Sequence, residues 1–357
     1  MGVRWAAAFL VALGGCGEQM HVASATSVGA AGPARGATAS DGPGGEVGGD
    51  MAGDMAGPAP SCVSGQIGDA TVGAAFAVGS DGLYWVVSSL HAPDNALWKM
   101  PKDGGAAAVV ASTPSEHSGG KGLVADADGL FLLVTGSPDL DPGGPGWISR
   151  VAPDGSQTRI ADGDEGCAPY LGDLADDGGS LLFVAHADPH CEDRTSYVLA
   201  AAKDGSGTRV LATAQAPRAP HADGGEVYFL DGTRLERVPE AGGAVETLAE
   251  TGLGSPGLVA IAGGFAYVGD LLASQVVRIP LAGGVPVVVG SSASSGVQLT
   301  ALAARGGRLY VGTSAGLVDE AGDGSEERWL SAARVAALGF DDAGLYAAGE
   351  GIYRFCN

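Results

Sequence analysis

A mostly apolar strand pattern with an aromatic residue or leucine in third place returns seven times along this 357-residue chain, and no other feature limits its fold as much. The copies are GLYW (Gly82 to Trp85), GLFL (Gly129 to Leu132), SLLF (Ser180 to Phe183), EVYF (Glu226 to Phe229), FAYV (Phe265 to Val268), RLYV (Arg308 to Val311) and GLYA (Gly344 to Ala347). Their third residues, Tyr84, Phe131, Leu182, Tyr228, Tyr267, Tyr310 and Tyr346, are spaced by 47, 51, 46, 39, 43 and 36 positions. A second pattern repeats independently: MPKDGG (Met100 to Gly105), VAPDGS (Val151 to Ser156), AAKDGS (Ala201 to Ser206), VPEAGG (Val238 to Gly243), IPLAGG (Ile279 to Gly284) and EAGDGS (Glu320 to Ser325). Asp-Gly and Gly-Gly supply the positive φ angles that tight hairpins require. The segments entering these turns, such as LWKM, ISRV, LERV and VVRI, alternate apolar and polar as half-buried strands do.

The period is too long for a hairpin and suits a unit of four short strands, the blade of a β-propeller. The expected fold is all-β: a seven-bladed β-propeller of four-stranded antiparallel blades, with six blades as the alternative. Seven second strands but six hairpins leave one blade without its outer strand. The last repeat runs from about Val335 to Phe355 and stops, so residues near Val63 to Asp69 are expected to supply that strand and close the ring, removing an exposed edge.

Tyr84-Trp85-Val86-Val87 and Ile148-Ser149-Arg150-Val151-Ala152-Pro153-Asp154-Gly155-Ser156 resemble the YWTD and NHL-type propeller repeats. The resemblance covers about residues 62 to 357 and implies the fold. Val87 stands where the YWTD motif has its Asp, and YWTD propellers have six blades, so that family's partners do not carry over.

Composition bears on the remainder. Aromatics are 6% and charged residues 17% against 45% AVILMFWYC, which fits neither a disordered chain nor a coiled coil. The 62 glycines follow no G-X-Y period, which excludes collagen. With 19 basic and 41 acidic residues the net charge is −22, and such a chain repels phosphate backbones, so no nucleic-acid partner is expected.

Residues 1–15 have the layout of an export signal: Arg4, an apolar run from Trp5 to Leu13, then small residues. That run is about half of the roughly 20 residues that span a bilayer. Leu13-Gly14-Gly15-Cys16 resembles the bacterial lipobox, which implies lipidation of Cys16 and a membrane partner through the lipid anchor; Gly17 in place of Asp favours the outer membrane. Several acyl chains anchor stably where one would be marginal. Residues 17–60 contain no Phe, Trp or Tyr and are read as a disordered tether reaching about 35 to 40 Å. The expected organisation is a lipoprotein signal peptide over 1–15, lipidated Cys16 with its tether to residue 60, and the propeller over 61–357. The expected address is the outer membrane or cell surface, as a monomer.

Four cysteines remain, and an exported chain favours disulfides. Cys62 precedes the closing strand and Cys356 ends the last one, so their pairing would lock the ring; Cys167 and Cys191 are the second pair. A Cys191–His186–His190 metal site is the sharper alternative. No metal is assigned: i and i+4 share a face only on a helix. Asp139 with Asp141 and Asp126 with Asp128 could offer oxygens to calcium, yet neither pair has the EF-hand spacing. No G-x-S-x-G, H-E-x-x-H or P-loop occurs, and no cofactor is expected.

The long loops fall on one face, in blades 1 to 3: Ser89 to Ala96, Gly136 to Gly146 and His186 to Ser196, joined by Ser112 to Lys121 and Ala161 to Pro169. This rim carries His91, Asp94, His117, Asp139, Asp141, Asp164, Glu165, His186, Asp188, His190, Glu192, Asp193 and Arg194. Binding sites on rigid scaffolds concentrate in such loops. The functional expectation is a binding or interaction module for a protein or glycan ligand, the alternative being a propeller lyase or hydrolase with its site on the same face.

Overall fold

The computed structural model describes residues 64–356 apart from 73–74, 88–95, 113–119, 137–144, 164–166, 193 and 292–296. The described residues form strands joined by turns and loops. Blade 1 is β2 (Ala75–Val78), β3 (Leu83–Val87), β4 (Ala96–Met100) and β5 (Ala108–Ser112); it follows β1 (Gly65–Gly68). Blade 2 is β6 (Gly120–Ala125), β7 (Leu130–Val134), β8 (Trp147–Val151) and β9 (Gln157–Asp162). Blade 3 is β10 (Tyr170–Asp176), β11 (Ser180–His186), β12 (Ser196–Ala202) and β13 (Thr208–Ala214). Blade 4 is β14 (Pro217–Asp223), β15 (Glu226–Asp231), β16 (Arg234–Pro239) and β17 (Glu246–Glu250). Blade 5 is β18 (Pro256–Ala262), β19 (Phe265–Asp270), β20 (Gln275–Pro280) and β21 (Val287–Ser291). Blade 6 is β22 (Leu299–Arg305), β23 (Arg308–Thr313), β24 (Gly316–Ala321) and β25 (Glu327–Ser331). Blade 7 is β26 (Val335–Asp341), β27 (Gly344–Gly349) and β28 (Ile352–Cys356), with β1 as its outer strand.

Each sheet is an antiparallel meander of four strands, and the first strands of neighbouring blades lie against one another around the ring, from β2 on β6 to β26 on β2. This is a seven-bladed β-propeller; the six-bladed alternative does not hold. The last blade closes as the unequal numbers of second strands and hairpins imply, with Gly65 opposite Arg354 and Gln66 opposite Tyr353.

The core is divided among the blade interfaces. Phe131, Ile148 and Phe183 pack between blades 2 and 3, Tyr228, Val259 and Val268 between blades 4 and 5, and Phe76, Trp85 and Tyr346 between blades 7 and 1. Phe131, Phe183 and Phe229 are fully buried, so truncating any of them to Ala should cost about 3 to 5 kcal/mol. The repeated third residue of the pattern thus has a physical role: it fills the gap between blades. Where it is Tyr the next strand often places a cation opposite, as with Tyr84 and Lys99, or Tyr346 and Arg354, whose guanidinium lies 5.7 Å from the ring centre.

The hairpin glycines do more than turn the chain. At Gly155 φ is 82°, and an added Cβ would strike the Val110 carbonyl oxygen of the preceding blade's outer strand. Gly104 approaches Ile67 of β1 in the same way, with 2.8 Å between an added Cβ and the carbonyl oxygen. Each third-to-fourth hairpin therefore lies on its neighbour and clasps the ring from outside.

Two lysines reinforce the clasp. Lys203, in the blade 3 hairpin, is buried and paired with Asp126 of blade 2 and with Asp176 at 2.7 Å. Lys102, in the blade 1 hairpin, reaches Asp341 of blade 7 at 2.7 Å. Asp126 also caps its own turn, its Oδ1 accepting from the Asp128 and Gly129 backbone N–H groups at 2.7 and 2.9 Å. Asp126 and Asp128 thus serve a turn and an ion pair, which explains their Asp-x-Asp-Gly spacing without calcium.

Candidate functional site

A meander sends its connections alternately to two faces. The first-to-second and third-to-fourth turns are short; Gly224 and Gly225 alone join β14 to β15. The opposite face carries the second-to-third loops, which are long in blades 1 to 3 and shrink to Gly232-Thr233 in blade 4 and Ser314-Ala315 in blade 6. Of the expected rim, His91, Asp94, His117, Asp139, Asp141, Asp164, Glu165 and Asp193 lie outside the described residues, as do Cys16 and Cys62. The structure brings His186, Asp188, His190, Glu192 and Arg194 together at one corner, where β11 gives way to the loop into β12.

A disulfide between Cys167 and Cys191, with Cα atoms 5.7 Å apart, ties this loop to the segment that enters blade 3. It leaves no Cys191 thiolate for the alternative metal site with His186 and His190. Cys356, at the end of β28, is also disulfide-bonded.

Asp188 organises the corner. Its Oδ2 accepts from the Tyr170 hydroxyl at 3.1 Å and its Oδ1 from the His190 N–H at 2.8 Å. Its own N–H donates to the Cys167 carbonyl at 2.8 Å, and its carbonyl accepts from the Cys191 N–H at 3.0 Å. The side chain is thus occupied in shaping the loop, while His190, Glu192 and Arg194 are exposed at its surface. His186 is half-buried against Gly172, where a Cβ would come within 3.1 Å of its Nε2.

Below this corner the innermost strands of blades 3 and 4 are irregular. In blades 2, 5, 6 and 7 the first strand slips register by one residue, whereas blades 3 and 4 leave two unpaired, between Gly172 and Ala175 and between Arg218 and His221. Asp173 and Ala219 sit there at φ 47°, sterically costly for residues with a Cβ. A crosslink offsets the cost: the Ala219 N–H donates to Asp173 Oδ2 at 3.0 Å.

Buried caps hold the short loops of the same face, and they have no distinguishing sequence pattern. Asp231 Oδ1 accepts from the Gln215 and Ala216 N–H groups at 3.0 and 2.8 Å, and its Oδ2 from Arg234 Nη2 at 2.7 Å. Asp270 takes four backbone N–H groups, from Gly254, Ser255, Leu272 and Ala273, at 2.7 to 2.9 Å. Burial alone would raise its carboxyl, but these donors hold it below the ordinary carboxylate range. Thr313 Oγ1 does the same for the Ala315 and Gly316 N–H groups.

A cleft of about 490 Å³ lies between blades 6 and 7, within the usual range of small-ligand sites. Tyr310, Trp329, Phe355, Asp319 and Arg328 line it. Asp319, nearly buried, accepts from Arg308 Nε at 2.7 Å and Arg328 Nη2 at 3.0 Å. Trp329 is half exposed on the outermost strand, an unusual place for a large apolar ring and the one trace of the cleft in the sequence.

Chemically, the long-loop corner offers an imidazole, a carboxylate and a guanidinium on a fixed loop. No group of three His, Cys, Asp or Glu side chains among the described residues could hold a metal ion.

No known protein family matches the chain, and no curated protein matches its sequence. Solved structures do match its fold. YCF48 bound to D1 peptide is 13% identical with a TM-score of 0.57, over 83% of this chain and 96% of that one. A streptogramin B lyase is 10% identical with a TM-score of 0.52, over 82% and 96%. BamB from Moraxella catarrhalis is 14% identical with a TM-score of 0.50, over 79% and 85%. Against some longer matches the chain spans only 43 to 49% of the other protein. At these identities the comparisons show the fold alone: the chain carries a β-propeller repeat domain similar in fold to YCF48, the streptogramin B lyase and BamB.

Proposed function

We propose that this chain is an exported lipoprotein, anchored through Cys16, whose propeller acts as a binding module for a protein or glycan through the long-loop face of blades 1 to 3. The observation that carries the binding role is the blade 3 corner. There a disulfide and Asp188 are committed to holding a loop in shape, and His190, Glu192 and Arg194 are left outward on it. A surface fixed before contact loses little freedom on binding, which favours affinity. The Cys167–Cys191 bond fits an oxidising compartment, and the lipobox-like stretch ending at Cys16 fits export with a lipid anchor. A tether over residues 17–60 would hold the propeller, over 61–357, clear of the bilayer. The peptide-bound YCF48 is a fold neighbour with a binding role; the lyase neighbour keeps an enzyme reading as the alternative.

The test uses the full chain produced in a Gram-negative host and solubilised from membranes. The binding module predicts that His190→Ala/Glu192→Ala/Arg194→Ala together lower capture of the ligand found by glycan array or pull-down at least tenfold, with the chain still in the membrane fraction. Undiminished capture would move the site off this corner. An unmodified mature amino terminus by mass spectrometry would remove the lipid anchor.

A further inference from the structure

The outer part of the blade interfaces repeats one interlock, and a single copy breaks its chemistry. The residue four before a hairpin glycine is buried against the preceding blade: Met100, Val151, Ala201, Val238 and Ile279 in blades 1 to 5. Its counterpart follows the residue skipped by the register slip in the preceding outer strand: Gly68, Ala111, Ala161, Ala212 and Ala249. Val151 and Ala111 share one apolar cluster, as do Ala201 and Ala161, Val238 and Ala212, and Ile279 and Ala249. The longer Met100 meets a glycine instead, and a Cβ added to Gly68 would come within 2.8 Å of its Sδ.

Blade 6 places Glu320 at this position, and the counterpart on β21 is Gly290. A Cβ added to Gly290 would come within 2.6 Å of Glu320 Oε2, so a carboxyl fills the space that Met100 fills with a thioether. Glu320 is buried, and its Oε2 accepts no hydrogen bond from the described residues. An ionised carboxylate without donors is costly to bury, and a protonated one far less so.

No cation among the described residues pairs with it. β21 has no charged residue, Glu327 stands opposite on β25 as a like charge, and Tyr267 of β19 is neutral. Arg278 of β20 donates to the Gly322 carbonyl at 3.0 Å, while Arg308 of β23 and Arg328 of β25 are held by Asp319 at 2.7 and 3.0 Å. Asp323 and Glu326 of the hairpin are acids as well.

We propose that Glu320 makes the interface between blades 5 and 6 a pH-sensitive latch, closed while the carboxyl keeps its proton and loosened when the proton leaves to water. The element it releases is β21, whose Val287 and Val288 are already half exposed and on whose Val289 carbonyl the Gly324 hairpin lies. Burial pushes the Glu320 carboxyl up to about 7, with the Glu327 charge adding to it. The closed form is therefore fully favoured below about pH 4.5 and loses its advantage as pH rises through 7. The inference rests on the fold and does not depend on the lipid anchor or the binding face.

Hydrogen exchange of the full chain between pH 5 and pH 8, corrected for intrinsic exchange rates, tests it. Amides of β21 should lose at least tenfold in protection across this range. Those of β13, an outer strand that faces Val238 in place of an acid, should change less than twofold. Glu320→Gln should erase the loss at β21, and so should Gly290→Ala, whose methyl displaces the carboxyl from the interface. An equal loss at β13 would mean that the whole propeller weakens, and it overturns the latch. So does unchanged protection of β21, or a pH dependence that survives either substitution.

Discussion

Blades 2 and 3 and blades 6 and 7 are joined by apolar slabs of similar kind but are fastened differently on the outside. At the first interface a hairpin lies over Ile160 of β9, and its Lys203 is buried among Asp126, Asp128 and Asp176. At the second, the described residues include no hairpin and no buried lysine. Arg305 there donates to the Asp341 carbonyl at 2.5 Å, and an open cleft stands further out. A ring can repeat its strand order faithfully and still have a seam, because clasping requires a covalent turn between third and fourth strands and the closing blade cannot have one. The seam is where a propeller made from a linear chain differs from a perfect ring.

The contrast is sharpened most by Lys203→Met. Removing the cation leaves Asp126 and Asp176 close together and partly buried, so urea unfolding should show a loss of about 3 to 5 kcal/mol. A loss below about 1 kcal/mol would mean that the buried lysine does not fasten blades 2 and 3. Gly155→Ala comes next. It combines a positive φ with a clash against the Val110 carbonyl, and should cost about 2 to 3 kcal/mol.

Glu320 probes the interface between blades 5 and 6. It is 8% exposed, lies beside Gly290, and its Oε2 has no hydrogen-bond partner among the described residues. Burial, with the Glu327 charge adding to it, pushes its carboxyl from 4.5 up to about 7. A raised carboxyl favours the neutral form in the folded state. Its contribution is therefore retained below about pH 4.5 and lost as pH rises towards 7. Glu320→Gln should leave stability unchanged near pH 4 and raise it by about 2 kcal/mol at pH 8 in thermal unfolding. No gain at pH 8 would show that the carboxylate finds compensation in the fold. The smallest effect belongs to Gly242→Ala. Gly242 has φ 81° but meets only the Val210 carbonyl at 3.7 Å, so the cost should fall to about 1 kcal/mol. Equal losses at Gly155 and Gly242 would remove close approach from the explanation.

The fold was legible because its elements are local. Tyr84, Phe131 and Tyr346 mark second strands by an aromatic residue between small or apolar ones, and Gly155 and Gly324 mark hairpins by backbone angles few other residues adopt. Even the closing strand could be inferred, since one hairpin too few leaves an outer strand to be supplied from the other end of the propeller sequence. The site was legible only as a face. Asp188 reads as a rim carboxylate, yet its oxygens serve the loop, a fact that depends on Tyr170 arriving from another strand. Asp231 and Asp270 pass for ordinary loop acids because two of the backbone donors to each come from the incoming segment 15 or 16 residues earlier. The cleft joins Ser64 to Cys356 from opposite ends of the propeller sequence, and its local trace, Trp329, is a single exposed ring on an outer strand.

The claim on which the rest stands is closure of the seventh blade by β1, and hydrogen exchange tests it directly. Gln66 pairs with Tyr353 in the closing ladder. Gln66→Pro in the full chain removes a donor from β1 and fixes its φ, which should unseat the strand. Amides in the peptide spanning 352–356 should then exchange at least tenfold faster, while those of β12 hold near their original rates. Unchanged protection of 352–356 in that variant would contradict the closed ring.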